Sequence, residues 1–110
     1  MRAGEPEFLS MRQDRMNCEI IHYSRHAFER MFEWAIAPEV IREVVTNGEI
    51  IANYPDDRPV PSALILGFDQ VRPIHVVAAR NAATNECHVV TVYVPDPTLW
   101  DAAFKQRRSS

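Results

Sequence analysis

Two extended runs, "PIHVVAAR" (73–80) and "CHVVTVYV" (87–94), set the tightest limit on what this chain can fold into. Both are rich in β-branched residues and apolar at odd and even positions alike, the pattern of a strand covered at least in part on both faces. The turn-forming stretch "NAATNE" between them predicts an antiparallel hairpin at the centre of a sheet. Two further runs, "EIIANY" and "SALILGF", lie upstream behind the breakers "PDDRPVP" and "DQVRP", which extends the hairpin to a four-strand meander. A short run, "CEIIHY", has strand character near the start of the chain.

Helical periodicity fills the space between the first run and the meander. Ser24 is placed to cap a helix running to about Ala35, in which Ala27, Met31 and Trp34 with Phe28, Phe32 and Ala35 recur at helical spacing. "APEVIREVVTNG" is a second helix: Pro38 suits its first position, Glu39 its positive end, Val40, Ile41, Val44 and Val45 form a stripe, and Gly48 stops it. The short link between the two predicts a helix hairpin. "PDPTLWDAAFKQRR" reads as a C-terminal helix with Leu99, Trp100, Ala103 and Phe104 on one side. The expected fold is α+β: a helix hairpin packed on a curved antiparallel sheet of about four to five strands, followed by a C-terminal helix. A length of 110 residues suits one core, so a single domain is expected over 17–110, after a polar, aperiodic segment (1–16) expected to be disordered.

Composition narrows the function classes. A formal net charge of -3 gives no general attraction to nucleic acid and argues against direct DNA binding, although "KQRR" and several arginines leave room for a local basic patch. No apolar run approaches the roughly 20 residues needed to cross a bilayer, so no membrane role is expected. The N-terminal stretch lacks the apolar core of an export signal, so a cytoplasmic location is expected. Cys18 and Cys87 form no CxxC pair and are expected to be buried thiols rather than a disulfide or a zinc site. Of the four histidines only His22 and His26 share an HxxxH spacing, and no carboxylate motif joins them, so no metal or other cofactor is expected.

Two groups of residues carry chemistry. His26 and Arg30, four apart, share one side of the first helix, and the helix N-terminus favours a neutral imidazole at His26. The same spacing equally serves a histidine that caps the first turn and an arginine paired with Glu29 or Glu33. In the hairpin, a turn about Ala83 and Thr84 sets His75 opposite Tyr93 and Val77 opposite Thr91, gathering imidazole, phenol and hydroxyl at one end. A core histidine bonded to a tyrosine would fit that pattern too. Arg58, in the proline-framed loop, is placed to reach an anionic ligand, and Arg80, on the opposite strand face from His75, to bond a carboxylate or the chain terminus.

At these residues "HAFERM", "TNGEIIANYPDDRPVPSALILG", "RPIHVVAA" and "VVTVYVPDPTLW" together resemble the bacterial and archaeal family called domain of unknown function 4258, over about residues 20–108. Such proteins look like relatives of the RelE and MqsR toxin ribonucleases, often encoded beside a zinc-finger antitoxin of the MqsA or YgiT type. The resemblance puts weight on His26, Arg30, His75, Thr91 and Tyr93, and departs at Trp34 and Ala35, where the family carries arginine and glycine. It implies a toxin that cleaves RNA without metal. His26 and His75 would be the acid and base pair, Arg30 the electrostatic stabiliser, Tyr93 and Thr91 positioning groups, and Arg58 and Arg80 RNA contacts. The alternative is a non-catalytic binding or regulatory module on the same fold. The two expectations part on whether His26 and His75 line one open cleft.

Overall fold

The structure is a computed structural model that describes residues 16–109. Strand β1 (Ile20–Tyr23) leads into helices α1 (Arg25–Trp34) and α2 (Pro38–Asn47), followed by β2 (Glu49–Tyr54), β3 (Ser62–Asp69), β4 (Arg72–Asn81) and β5 (Glu86–Tyr93). The strands form one sheet in the order β1-β5-β4-β3-β2. The predicted α+β architecture and meander are therefore present, with the run 73–80 at the sheet's centre. The expected segment 1–16 lies outside the described residues except for Met16, which packs partly buried against the core.

The sheet is mixed rather than antiparallel. β1 runs parallel to β5, with Ile20 beside Glu86 and His22 beside His88. Parallel neighbours need a long connection rather than a tight turn, and β1 reaches β5 only through the helix pair and the whole β2–β5 meander. Parallel pairing also overturns the expectation for the cysteines. Cys18 and Cys87 form a disulfide at a Cα separation of 5.6 Å, although they are 69 residues apart in sequence. Spacing along the chain had suggested free thiols; the sheet, not a CxxC motif, brings the two together.

Helices α1 and α2 cover one face of the sheet. Ala27, Met31, Ile41, Val44 and Val45 pack there against Ile65, Ile74, Val76, Ala78, Val89 and Val92. Gly67 is required at this contact: a Cβ there would lie 2.6 Å from Val44 Cγ2. Both helix boundaries follow from local chemistry. Ser24 Oγ accepts from Ala27 N at 2.9 Å at the start of α1. At its end Ala35 adopts a left-handed φ of 54°, and Ile36 N donates back to Met31 O at 2.8 Å. Arg72 then donates to the last carbonyls, Trp34 O at 2.8 Å and Ala35 O at 3.1 Å, tying the β3–β4 turn to the helix end.

The C-terminal helix does not form. Residues 96–107 make turns and a narrow antiparallel loop, with Trp100 bridged to Arg107 and Arg108 N donating to Leu99 O at 2.9 Å. Aspartate side chains compete for the amides that a helix would use. Asp96 Oδ1 accepts from Thr98 N at 2.8 Å, and Asp101 Oδ1 accepts from Lys105 N at 3.0 Å. Trp100 is instead buried against the sheet face that the helices leave free, ring to ring with His75 at 4.5 Å. Of the residues read as a helix stripe, Trp100 covers that second face, while Leu99 and Ala103 stay exposed.

Candidate functional site

His75 sits near the middle of β4 with no solvent exposure. Alternation places it with Val77 and Ala79 on the face opposite the helices, since Ile74, Val76 and Ala78 point into the helix-side core. The predicted register holds: His75 pairs with Tyr93 and Val77 with Thr91. It holds because of an irregularity that the sequence did not announce. The β4–β5 turn alone would set the partners one residue out of step. A bulge opposite Val77 and Ala78 leaves Val90 of β5 without a partner and restores the match.

Both imidazole nitrogens of His75 are engaged. Nε2 lies 2.8 Å from Phe104 O, which can only accept, so Nε2 carries the proton. Nδ1 then accepts from Tyr93 Oη at 3.2 Å. Burial holds the imidazole below its ordinary pKa, with the Phe104 bond acting weakly the other way. The Tyr93 phenol is likewise pushed up by burial, raised further by Tyr54 and opposed by Arg107, whose guanidinium also lies over Trp100 at 5.6 Å. A neutral, sealed histidine packed edge-on to Trp100 and Tyr93 is arranged to hold the C-terminal segment to the sheet.

His26 lies elsewhere. It is exposed on α1, on the helix-covered side, whereas His75 is enclosed on the other side of the sheet. The two imidazoles do not line one cleft. Arg30, near His26 on α1, donates to Glu33 Oε2 at 2.7 Å, the intrahelical pairing that spacing alone allowed. Thr91 and Tyr93 accompany His75, not His26. Arg80 donates from Nε to Asn17 O at 2.8 Å and pairs with Asn85, so it braces the start of β1 and the β4–β5 turn. Arg58 is exposed, donates to the nearby Asp56 carbonyl at 3.2 Å, and helps line an open cavity of about 360 Å³ with Asp57, Ser62, Ala79, His88 and Val90.

Spacing along the chain missed a second histidine pair. His22 of β1 and His88 of β5 are register partners with rings stacked at 4.7 Å, and Glu86 Oε1 lies 3.0 Å from His22 Nε2. The signal was cross-strand, and finding it required a parallel β1–β5 register. A second surface feature lies on α1. Phe32 is 88 % exposed and Phe28 54 % exposed, and with Met31, Ile36 and Pro38 they line an apolar hollow of about 560 Å³.

No curated protein and no solved structure matches the chain. The family model described as "Domain of unknown function (DUF4258)" matches residues 23–94, a span that includes His26, Arg30, His75, Thr91 and Tyr93 but excludes His22, Cys18 and Trp100. With more than half of its length matched, this chain belongs to the DUF4258 family.

Proposed function

We propose that this chain is a non-catalytic, protein-binding module on a RelE/MqsR-like scaffold, with the apolar hollow of α1 as its docking face. The observation that carries this reading is the separation of His26 from His75. General acid–base catalysis needs both groups within hydrogen-bond reach of one substrate, directly or through a water. His75 is enclosed with both nitrogens engaged, while His26 is exposed on the other side of the sheet. What supports the scaffold relation is a helix pair laid on one face of a small bulged sheet.

The chemistry of the hollow favours protein over RNA as the partner. Two phenylalanines with large exposed area make an apolar patch of the kind that buries a partner's side chains, whereas RNA needs cations free to meet phosphates. Arg30 and Arg80 are already engaged, and the net charge is -3. The protein implied by the family resemblance is a zinc-finger antitoxin of the MqsA or YgiT type.

The test has two arms. Untagged protein incubated with single-stranded RNA without metal should leave it intact, with and without ribosomes. Titration with the product of the adjoining gene should give a complex that Phe32→Glu weakens by at least about tenfold, the scale expected when a central aromatic anchor is lost. RNA cleavage by the wild type that His26→Ala and His75→Ala each abolish, together with growth arrest on expression, would restore the ribonuclease reading. A complex indifferent to Phe32→Glu would remove the docking face.

A further inference from the structure

The cluster His22, Glu86 and His88 lies on the sheet face away from the helices, apart from the α1 hollow and from His75. We propose that these three side chains form a binding site for one borderline divalent cation of the zinc, nickel or copper(II) class.

The backbone sets the geometry. In a parallel pair, register partners project to the same face, so His22 and His88 stand side by side, and Glu86, two residues before His88, projects with them. Their candidate ligand atoms all lie within 4.8 Å of one another, and His22 Nε2 is 3.0 Å from Glu86 Oε1. Ligands bound at about 2.1 Å in a tetrahedral shell are about 3.4 Å apart, so small rotations of exposed side chains complete the site.

The donor set selects the ion. Two imidazoles and one carboxylate match zinc, nickel and copper, whereas magnesium and calcium prefer an all-oxygen shell. All three side chains reach solvent, so water completes the coordination and the ion exchanges freely. The ring stacking holds the imidazoles nearly parallel, 17° apart, and keeps both on the side of Glu86.

The site also has a mechanical consequence. On the helix side of the same strand pair, the Cys18–Cys87 bridge anchors the start of β1. An ion held by His22, Glu86 and His88 clamps the other side, so binding should stabilise the fold through its N-terminal edge strand.

Calorimetry and Co²⁺ absorption on untagged, metal-stripped protein test this directly. Titration with ZnCl₂ and NiCl₂ should show one ion per chain and a rise of several degrees in the thermal midpoint, and MgCl₂ should do neither. His22→Ala, His88→Ala and Glu86→Gln, all at exposed or half-exposed positions, should each lower the affinity at least tenfold, while His26→Ala leaves it unchanged. Co²⁺ should give ligand-field bands that the His22 and His88 variants lose. Absence of binding below millimolar ion, or binding that survives His22→Ala and His88→Ala together, would overturn the proposal.

Discussion

Breaking the Cys18–Cys87 bridge should cost this domain a large share of its stability. The bond joins residues 69 apart. Closing a loop of about 70 residues removes chain entropy from the unfolded state worth about 4 kcal/mol at 25 °C. That figure is a ceiling, because β1 keeps other anchors to β5 and its neighbours after the bond is cut: its parallel ladder, Glu19 N donating to Asn85 O at 2.8 Å, and Arg80 Nε donating to Asn17 O at 2.8 Å. The expected loss is therefore about 2–4 kcal/mol. Cys18→Ala is the cleaner substitution, since Cys87 is fully buried and its truncation would add a packing defect. Urea unfolding followed by circular dichroism should show a lower midpoint for Cys18→Ala and for reduced wild type, and reductant should not shift Cys18→Ala further. A loss under about 1 kcal/mol, with free thiols verified by counting, would refute the loop-entropy reasoning and indicate that β1 is held by its ladder alone.

Two further changes test the second face and the helix end. In the unfolded chain His75 titrates near ~6.5, whereas burial depresses it in the fold, so below that pH the unfolded state binds a proton that the folded state refuses. Stability should be full above pH ~6.5 and fall as pH drops toward the folded pKa. A urea series from pH 7.5 to 5.5 should show this slope in wild type but not in His75→Gln, which should also lose about 2 kcal/mol overall from its buried hydrogen bonds; an unchanged slope would place the titration elsewhere. Asp96 and Asp101, held low by hydrogen bonds from backbone amides and, for Asp96, the Thr98 hydroxyl, lose their share only at more acid pH. Ala35 occupies a left-handed φ of 54°, so Ala35→Gly should raise stability by about 1 kcal/mol, read as a higher urea midpoint; a lower midpoint would show that the Cβ makes a contact worth more than the strain.

What the sequence disclosed followed the range of the signal. Local periodicity was enough for α1, α2 and the meander, because the Ser24 cap, Pro38 at the first position of α2 and the turn after Asn81 are written in neighbouring residues. The pairing of His75 with Tyr93 was legible only in outline, because the turn alone leaves it one residue out of step and the bulge at Val90 corrects it. Contacts set by the long-range pairing of the first and last strands were not: the β1–β5 register decides both the disulfide and the His22–His88 pair, and no spacing rule along the chain reports a parallel neighbour. The C-terminal segment misled because Leu99, Trp100, Ala103 and Phe104 carry helical spacing, while Asp96 and Asp101 divert the amides into turns. His26 and His75 could be named as candidates but not placed, since which sheet face each occupies depends on where the helices pack.

The extra residue in β5 has an evolutionary reading. Removing Val90 would leave Val89 across from Ala78 and Thr91 across from Val77, so the ladder would close with each neighbour still facing its present side. The sheet itself therefore has no need of that residue. What Val90 supplies is a carbonyl that accepts from Ser24 Oγ at 3.1 Å, joining the first residue outside α1 to the strand beneath it. Selection on this position would then follow how α1 is seated, and one-codon deletions there should trace which lineages still rely on that seat.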